Sequence, residues 1–334
     1  MTRQRVTMAD VAREAGVSLM TVSRAINGKE GISHTTRERI QDIVERLGYR
    51  PSEIARSLVT DRTCTIGLVV IDNTNPFFSE FARGVEHEAY AQGYNVFLCN
   101  TDEDIEREQA ILHSLEEKRV DGLILCSPRL DEAPLRSALK RHVAVVIFNR
   151  RLAEPRLGTI LVDDERGGRL VTEHLLSRGH RAVGYLSGPK RSFSGQLRAA
   201  GYRAALSAAG IDPHPTWERD CLPVVESGRE AALDLLTRQP ELTALFCYND
   251  LSAVGALQAC AELCRRVPDD MAIAGFDDIP LAAWVTPPLT TCHVPMCDLG
   301  GRAMHLLLEH IQGCRNTCED ILIEPELIIR DSAP

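Results

Sequence analysis

From residue 64 onward, short apolar runs rich in β-branched residues alternate with helical stretches. That alternation constrains the fold more than any other feature of the chain. "CTIGLVVI" reads as a strand buried on both faces, because a continuous β-branched run leaves no polar face for solvent. Helix "PFFSEFARGVEHEAYAQG" follows, then strand "YNVFLCN", helix "DIEREQAILHSLEEKRV", strand "DGLILCS", helix "APLRSALKRH" and strand "VAVVIFN". After a break near 150–163 a second series begins with helix "ERGGRLVTEHLLSRG" and strand "AVGYLSG". It continues through helix "QLRAAGYRAALSAAG", a segment around "CLPVV", helix "SGREAALDLLTRQ", strand "ALFCYND", helix "LSAVGALQACAELC" and strand "MAIAGFD". Strand–helix alternation of this kind specifies parallel sheets covered by helices on both faces. Two such series predict two similar α/β lobes, with the late extended stretch "LTTCHVP" crossing back between them.

The first 50 residues have a different texture and predict an all-α head. Met8, Val11, Ala12 and Ala15 share one face of a first helix with Thr7 as its N-cap. Gly16-Val17 makes a turn, and Ser18 caps a second helix that runs to about Ile26 and closes at Asn27-Gly28. A third helix spans roughly Thr36 to Leu47, with Ile40, Ile43, Val44 and Leu47 as its apolar stripe and Gly48 as its stop. The segment "RPSEIARSLVTDRT" is a short linker or helix that needs a partner to fold against.

Charge follows the same division. Residues 1–62 carry 11 Lys and Arg against 8 Asp and Glu, a net +3, while residues 63–334 carry 27 against 39, a net −12. A basic head on an acidic body fits a DNA-binding end on a chain that is not itself a nucleic-acid coat. No run approaches the ~18 apolar residues of a membrane span. The N-terminus has no continuous apolar stretch of a secretion signal. The 11 cysteines are scattered, which predicts reduced thiols in a cytoplasmic setting. Cys260/Cys264 and Cys314/Cys318 are spaced by four residues, yet neither pair has a third ligand nearby, so neither a metal nor another cofactor is expected.

Taken together, "VTMADVAREAGVSLMTVSRAING", "GYRPSEIARSLVT", "IGLVVIDNTNPFFSEFARGVE" and "MAIAGFDDIPLAAWVTPPLTTCHVP" resemble a LacI/GalR-family transcription regulator, with the ribose and purine repressors as the nearest branch. The resemblance covers nearly the whole chain, with its motifs in the family's order. It implies a helix-turn-helix head over 1–50, a hinge over 51–62, and a two-lobed, periplasmic-binding-protein-like body over 63–334. The expected N-lobe is about 63–161 plus 293–324, and the C-lobe about 162–292 plus 325–334.

A helix-turn-helix places the N-terminal residues of its second helix against base edges in the major groove. Here these are Ser18, Leu19, Met20 and Thr21, with Ser23 and Arg24 one turn on. Arg24 is the best candidate for bidentate contact with guanine, worth ~1–3 kcal/mol of discrimination. Thr7, Ser18, Thr21, Ser23, His34 and Tyr49 are candidates for phosphate contacts that position the head. Leu19 precedes Val22 by three residues and Ile26 by seven, so its spacing places it partly in the core; Met20 falls off that stripe and is the expected base reader. By resemblance, Leu58 is a minor-groove wedge in the hinge, with Ser52, Ala55 and Arg56 beside it.

In a two-lobed α/β body the ligand lies in the cleft at the carboxyl ends of strands. A polyol needs fixed hydrogen-bonding groups and an aromatic wall. Phe77 and Phe78 supply walls; Asn75, Asn149 and Asn249 amides; Ser194 a hydroxyl; Asp277 an acceptor; Arg150 and Arg198 forked donors. These positions match the family's sugar contacts, with three departures. Val294 stands where pentose binders carry a glutamine, Asn149 where they carry an aspartate, and Ser192 where the purine branch carries an arginine. Two arginines with an Asn in place of an Asp predict a cleft of net positive charge, open to a sugar acid as well as a neutral sugar. Trp284 is placed either in the pocket or at an interface.

The expected function is a repressor, active as a homodimer on a pseudo-palindromic, double-stranded operator in the cytoplasm at the nucleoid, and controlled by a small sugar or sugar acid. A chain end without heptads favours a dimer over a tetramer. No catalytic constellation is evident: Asp163-Asp164 and Asp277-Asp278 are adjacent carboxylates on extended backbone, pointing apart. The alternative is a periplasmic-type sugar-binding protein without DNA function, for which residues 64–334 alone would suffice.

Overall fold

The computed structural model describes residues 6–50, 62–152, 154, 157–313 and 320–334. It divides into two compact units, residues 1–63 and 64–334. Among the described residues no helix is long and apolar enough to cross a membrane.

The first unit contains α1 (Met8–Ala15), α2 (Leu19–Ile26) and α3 (His34–Leu47). Thr7 and Asp10 form a capping box: the Thr7 N–H donates to Asp10 Oδ2 at 3.0 Å, and the Asp10 N–H donates to Thr7 Oγ1 at 3.4 Å. Gly16 ends α1 in the left-handed conformation, at φ 60°. Ser18 then caps α2, accepting the Thr21 N–H at 3.2 Å. α3 begins two residues before the expected Thr36, because Ser33 is the cap that accepts the Thr36 N–H. Val11, Val22 and Ile40 meet at the centre of this unit with no exposed surface.

The body holds two six-stranded sheets. The first is built from β1 (Thr65–Val70), β2 (Asn95–Asn100), β3 (Gly122–Cys126), β4 (Val145–Phe148), β5 (Leu157–Val162) and β11 (Ile321–Ile323). Its order is β11-β5-β4-β3-β1-β2, with every pair parallel. The second uses β6 (Val183–Ser187), β7 (Glu218–Asp220), β8 (Ala244–Cys247), β9 (Ala272–Asp277), β10 (Thr290–His293) and β12 (Glu326–Ile328). Its order is β12-β10-β9-β8-β6-β7, parallel except for β10 and β12. Both sheets follow the doubly wound 2-1-3-4-5 order, whose crevice at the strand ends is where ligands bind. The expected break at 150–163 is occupied by β5, and the short strand β7 lies at Glu218–Asp220, just ahead of the segment "CLPVV".

The covering helices are α4 (Pro76–Ala91), α5 (Ile105–Glu117), α6 (Glu132–Leu139), α7 (Asp164–Ser177), α8 (Phe193–Ala208), α9 (Val225–Arg238), α10 (Asp250–Glu262), α11 (Pro280–Trp284) and α12 (Met296–Ile311). Three pairs cross with backbone against backbone through reciprocal glycines. A Cβ on Gly84 of α4 would lie 1.9 Å from the Cys297 carbonyl, and one on Gly300 of α12 would lie 2.0 Å from that of Phe81. Gly168 and Gly201 join α7 to α8 in the same way, and Gly228 and Gly255 join α9 to α10. The α7–α8 crossing fixes the site, because Gly168 seats directly on the backbone of Arg198. The chain passes between the lobes three times, after β5, after β10 and between β11 and β12.

Candidate functional site

The carboxyl ends of the two sheets face each other across a cleft. The N-lobe contributes Asn75, Phe77, Phe78, Glu103, Ser127, Arg129 and Asn149. The C-lobe contributes Ser194, Arg198, Pro223, Tyr248, Asn249 and Asp277. The lobes are closed on it, leaving about 20 Å³, roughly the room of one water. A roomier groove of about 880 Å³ runs along α4 and α12 on the outside of the N-lobe. It is lined by charged side chains such as Arg83, Glu86 and Arg302 and lies away from the strand ends, so it lacks the convergent polar groups of a ligand pocket.

Arg198 organises the C-lobe face. It is 2% exposed and donates from Nε to Asp164 Oδ1 at 2.8 Å and from Nη1 to the Tyr248 carbonyl at 2.6 Å. Its guanidinium lies 3.6 Å from the centroid of the Phe276 ring and 5.0 Å from that of Tyr248. Asp277 Oδ1 is 3.5 Å from Nη2, an ion-pair contact at the limit of hydrogen-bond reach, and makes no hydrogen bond although the residue is buried. Burial pushes the Asp277 carboxyl up to about 7, with Arg198 opposing that rise and Asp164 adding to it. Burial also raises Asp164, against the pull of Arg198. One cation thus serves two buried carboxylates, and burial raises both.

The second cleft arginine is Arg129, not Arg150. Arg129 is buried and forks onto Glu103, from Nε to Oε2 at 2.6 Å and from Nη2 to Oε1 at 2.8 Å. Its backbone N–H donates to the buried Glu108 at 2.7 Å. Burial is the largest single influence and works against the Arg129 charge, but the Glu103 bond together with the charges of Tyr248, Glu103 and Glu108 leaves the group raised. Arg150 instead turns away from the cleft and donates to the carbonyls of Pro128, at 3.1 Å, and Leu130. This overturns the expectation of net positive charge, since each cleft arginine is already matched by a carboxylate. "SPRLDE" gave no signal for Arg129, because its partner Glu103 lies 26 residues upstream.

The other expected cleft residues, Asn75, Phe77, Phe78, Asn149, Ser194, Asn249 and Asp277, all line it. Glu103, Ser127, Pro223 and Tyr248 line it as well and were not expected. Non-glycine residues with positive φ gather here: Glu103 at 60°, Ser127 at 51°, Asn149 at 58° and Asp277 at 112°. Such conformations cost of order 1–3 kcal/mol each and concentrate at ligand sites. Val294 is buried beside the cleft but does not line it. Trp284 is 78% exposed on α11 and is not a cleft wall.

In the head, Thr7, Ser18, Leu19, Met20, Arg24 and His34 are exposed, Thr21 and Ser23 are half-buried, and Tyr49 is buried in the core. His34 Nδ1 lies 3.3 Å from Glu38. Leu19 does not support the core as its spacing suggested; it is 53% exposed, and Met20 is 66% exposed. The reason is position: Leu19 is the first residue of α2, and a helical side chain leans toward the N-terminus, here past the last turn that α1 and α3 cover. The hinge residues Ser52, Ala55, Arg56 and Leu58 lie outside the described residues, as do Cys314 and Cys318. Cys264 falls beyond the end of α10 at φ 56°, so it does not share a helix face with Cys260. Among the described residues no group of three His, Cys, Asp or Glu side chains is placed to hold a metal.

A helix-turn-helix unit that presents apolar side chains at the tip of its second helix, on a chain whose body closes two lobes around a polar cleft, defines a ligand-responsive DNA-binding regulator. Residues 63–331 match the family described as periplasmic binding proteins and sugar binding domain of the LacI family, and residues 7–52 match bacterial regulatory proteins of the lacI family. The chain belongs to the LacI family. It is 37% identical to the HTH-type transcriptional repressor PurR of Aliivibrio salmonicida, over 98% of each chain. Its fold is similar to that of the lac repressor dimer bound to operator and the anti-inducer ONPF, with a TM-score of 0.88 and 29% identity over 99% of each chain. It is also similar to the transcriptional regulator CelR in its cellobiose complex, with a TM-score of 0.74 and 32% identity over 98% of this chain and 100% of that one. The protein is therefore a DNA-binding transcriptional repressor with a ligand-binding body. The reading as a binding protein without DNA function is not favoured, because the head itself matches the regulatory family.

Proposed function

We propose that the protein binds a pseudo-palindromic operator as a homodimer in the cytoplasm, and that a sugar-like effector in the interlobe cleft controls that binding. The observation that carries the effector site is Asp277: a carboxylate 5% exposed, with an oxygen that makes no hydrogen bond, on backbone at φ 112°, in a cleft lined by both lobes. A buried acceptor left without a partner is costly, and a ligand hydroxyl relieves it. The cellobiose held by the similar CelR structure supports the same class. Ser18, Leu19, Met20, Thr21, Ser23 and Arg24 read or hold the operator, with Thr7 and His34 on phosphates and Leu58 as the hinge wedge, while Tyr49 packs in the head core. The dimer reading is supported by β2, an edge strand that exposes Phe97 and Leu98, and by the exposed Tyr90 and Trp284.

The test begins by selecting bound sequences from random duplex DNA with the full chain. The selected duplex is then titrated in the presence of pentoses, hexoses, sugar acids and purines, with melting temperature followed in parallel. One ligand class is expected both to raise the melting temperature in proportion to its concentration and to change the bound DNA fraction. Stabilisation by a ligand with no change in DNA binding would refute the regulatory role of the cleft.

A further inference from the structure

Tyr248 was not expected in the cleft, and it has the largest side chain on the C-lobe face. It follows directly on β8, and its hydroxyl is hydrogen-bonded at 3.0 Å to Ser192, the N-cap of α8. The ring therefore spans from the end of β8 to the start of α8 and fills the corner where they meet. Its seat is closely fitted. A Cβ on Gly188 would fall 2.4 Å from the ring, and one on Gly195 would fall 3.1 Å from it. Ser192 also accepts the Gly195 N–H at 3.1 Å and bonds Ser194 Oγ at 3.1 Å. An arginine at 192 would not leave this corner to Tyr248.

Two consequences follow for the ligand. The start of a helix attracts anions through its free N–H groups and dipole. Here the start of α8 is capped by Ser192 and covered by Tyr248, and Arg198 and Arg129 are committed to Asp164 and Glu103. A carboxylate or phosphate on the ligand would find no unmatched cation among the lining side chains. The ring also removes the lateral space that a second sugar ring or a fused heterocycle would need.

We propose that Tyr248, anchored by Ser192, is a specificity-determining residue that restricts the cleft to an uncharged polyol the size of one monosaccharide. This rests on the reading of the cleft as the effector site. The test is calorimetric titration of the full chain with D-ribose, D-glucose, gluconate, cellobiose and adenine, for the unaltered protein and for Tyr248→Ala. The unaltered protein is expected to bind ribose or glucose at least tenfold tighter than the other three probes. Tyr248→Ala is expected to reduce that preference by tenfold or more, mainly by gaining affinity for the larger or charged probes. Tyr248→Phe keeps the ring and is expected to retain the exclusion of cellobiose. If the alanine variant melts below the assay temperature, Tyr248→Leu, which keeps apolar volume but not the reach to Ser192, is read in its place. Equal affinity of the unaltered protein for gluconate, cellobiose or adenine, or an unchanged preference in the folded variants, overturns the role given to Tyr248 alone. A panel in which no probe binds any of the proteins overturns the effector reading, and this one with it.

Discussion

At the scale of single residues, the cleft is defined by how few charges are left unmatched. Arg198 bonds Asp164 and sits near Asp277, whose carboxyl is raised to about 7 from an unfolded value of 3.8. Between those values the folded protein holds a proton that the unfolded chain has released. Stability therefore falls as pH rises from about 4 to 7, by at most ~1.4 kcal/mol per pH unit for one proton. Asp277→Asn is expected to remove this slope, seen as a flatter dependence of the urea midpoint on pH, and to weaken effector binding. An unchanged slope would place the proton on Asp164 instead. In the head, Met20 and Val22 test opposite environments. Met20→Gln is expected to change the preferred base at one operator position by ~1–3 kcal/mol while the head stays folded. Val22→Gln buries an amide in a fully enclosed core position and is expected to unfold the head, read by far-ultraviolet circular dichroism. If Met20→Gln selects the same operator as the parent, Arg24 and Leu58 carry the specificity.

At the scale of elements, the strand–helix alternation placed most of the sheet strands, because buried parallel strands are continuous apolar runs that no amphipathic helix imitates. The failures have physical causes. β5 was passed over because its glycine and threonine, in "LGTILV", dilute the apolar run; a Cβ on Gly158 would sit 2.7 Å from the Leu306 side chain. α12, unassigned from sequence, carries two adjacent glycines that lower helix propensity but serve the close crossing with α4. The cleft was legible at several residues that end a strand or start a helix, as with Asn75, Asn149, Asn249 and Asp277, but Ser127 and Tyr248, which also follow strands, were missed. Arg129 was not legible, because its role depends on a partner from another loop. Arg150 was misplaced because the backbone turns at Asn149, at φ 58°, and carries the next side chain outward. The glycine crossings give a direct test. Gly300→Ala puts a methyl 2.0 Å from a main-chain carbonyl and must separate α12 from α4. A loss of about 1–3 kcal/mol in chemical denaturation is expected, whereas Gly313→Ala, with open space around its Cβ, is not expected to clash although its φ of 69° favours glycine.

At the scale of the molecule, the body is two similar sheets joined by three crossings, so motion between the lobes is the natural way to admit a ligand. One exposed polar contact bridges the lobes away from those crossings. Arg191, in the loop between β6 and α8, reaches across to Asp131, ahead of α6, at 2.9 Å and toward the Arg129 carbonyl at 3.4 Å. Both side chains of this pair are exposed, at 51% and 76%, so the ion pair contributes ~0–1 kcal/mol and is screened by salt. That pair adds little to closure, and a ligand that touches both lobes is expected to shift the balance between open and closed forms. Arg191→Ala removes the latch, and with it the long contact to the Arg129 carbonyl, without altering any side chain that lines the cleft. Its expected effect is a loss of no more than about fivefold in effector affinity at low salt, vanishing near 1 M salt. Operator release should shift to higher ligand concentration by the same factor, because affinity and release are linked through the same closed state. A hundredfold loss, or one that persists at high salt, would mean that Arg191 meets the ligand itself once the lobes part.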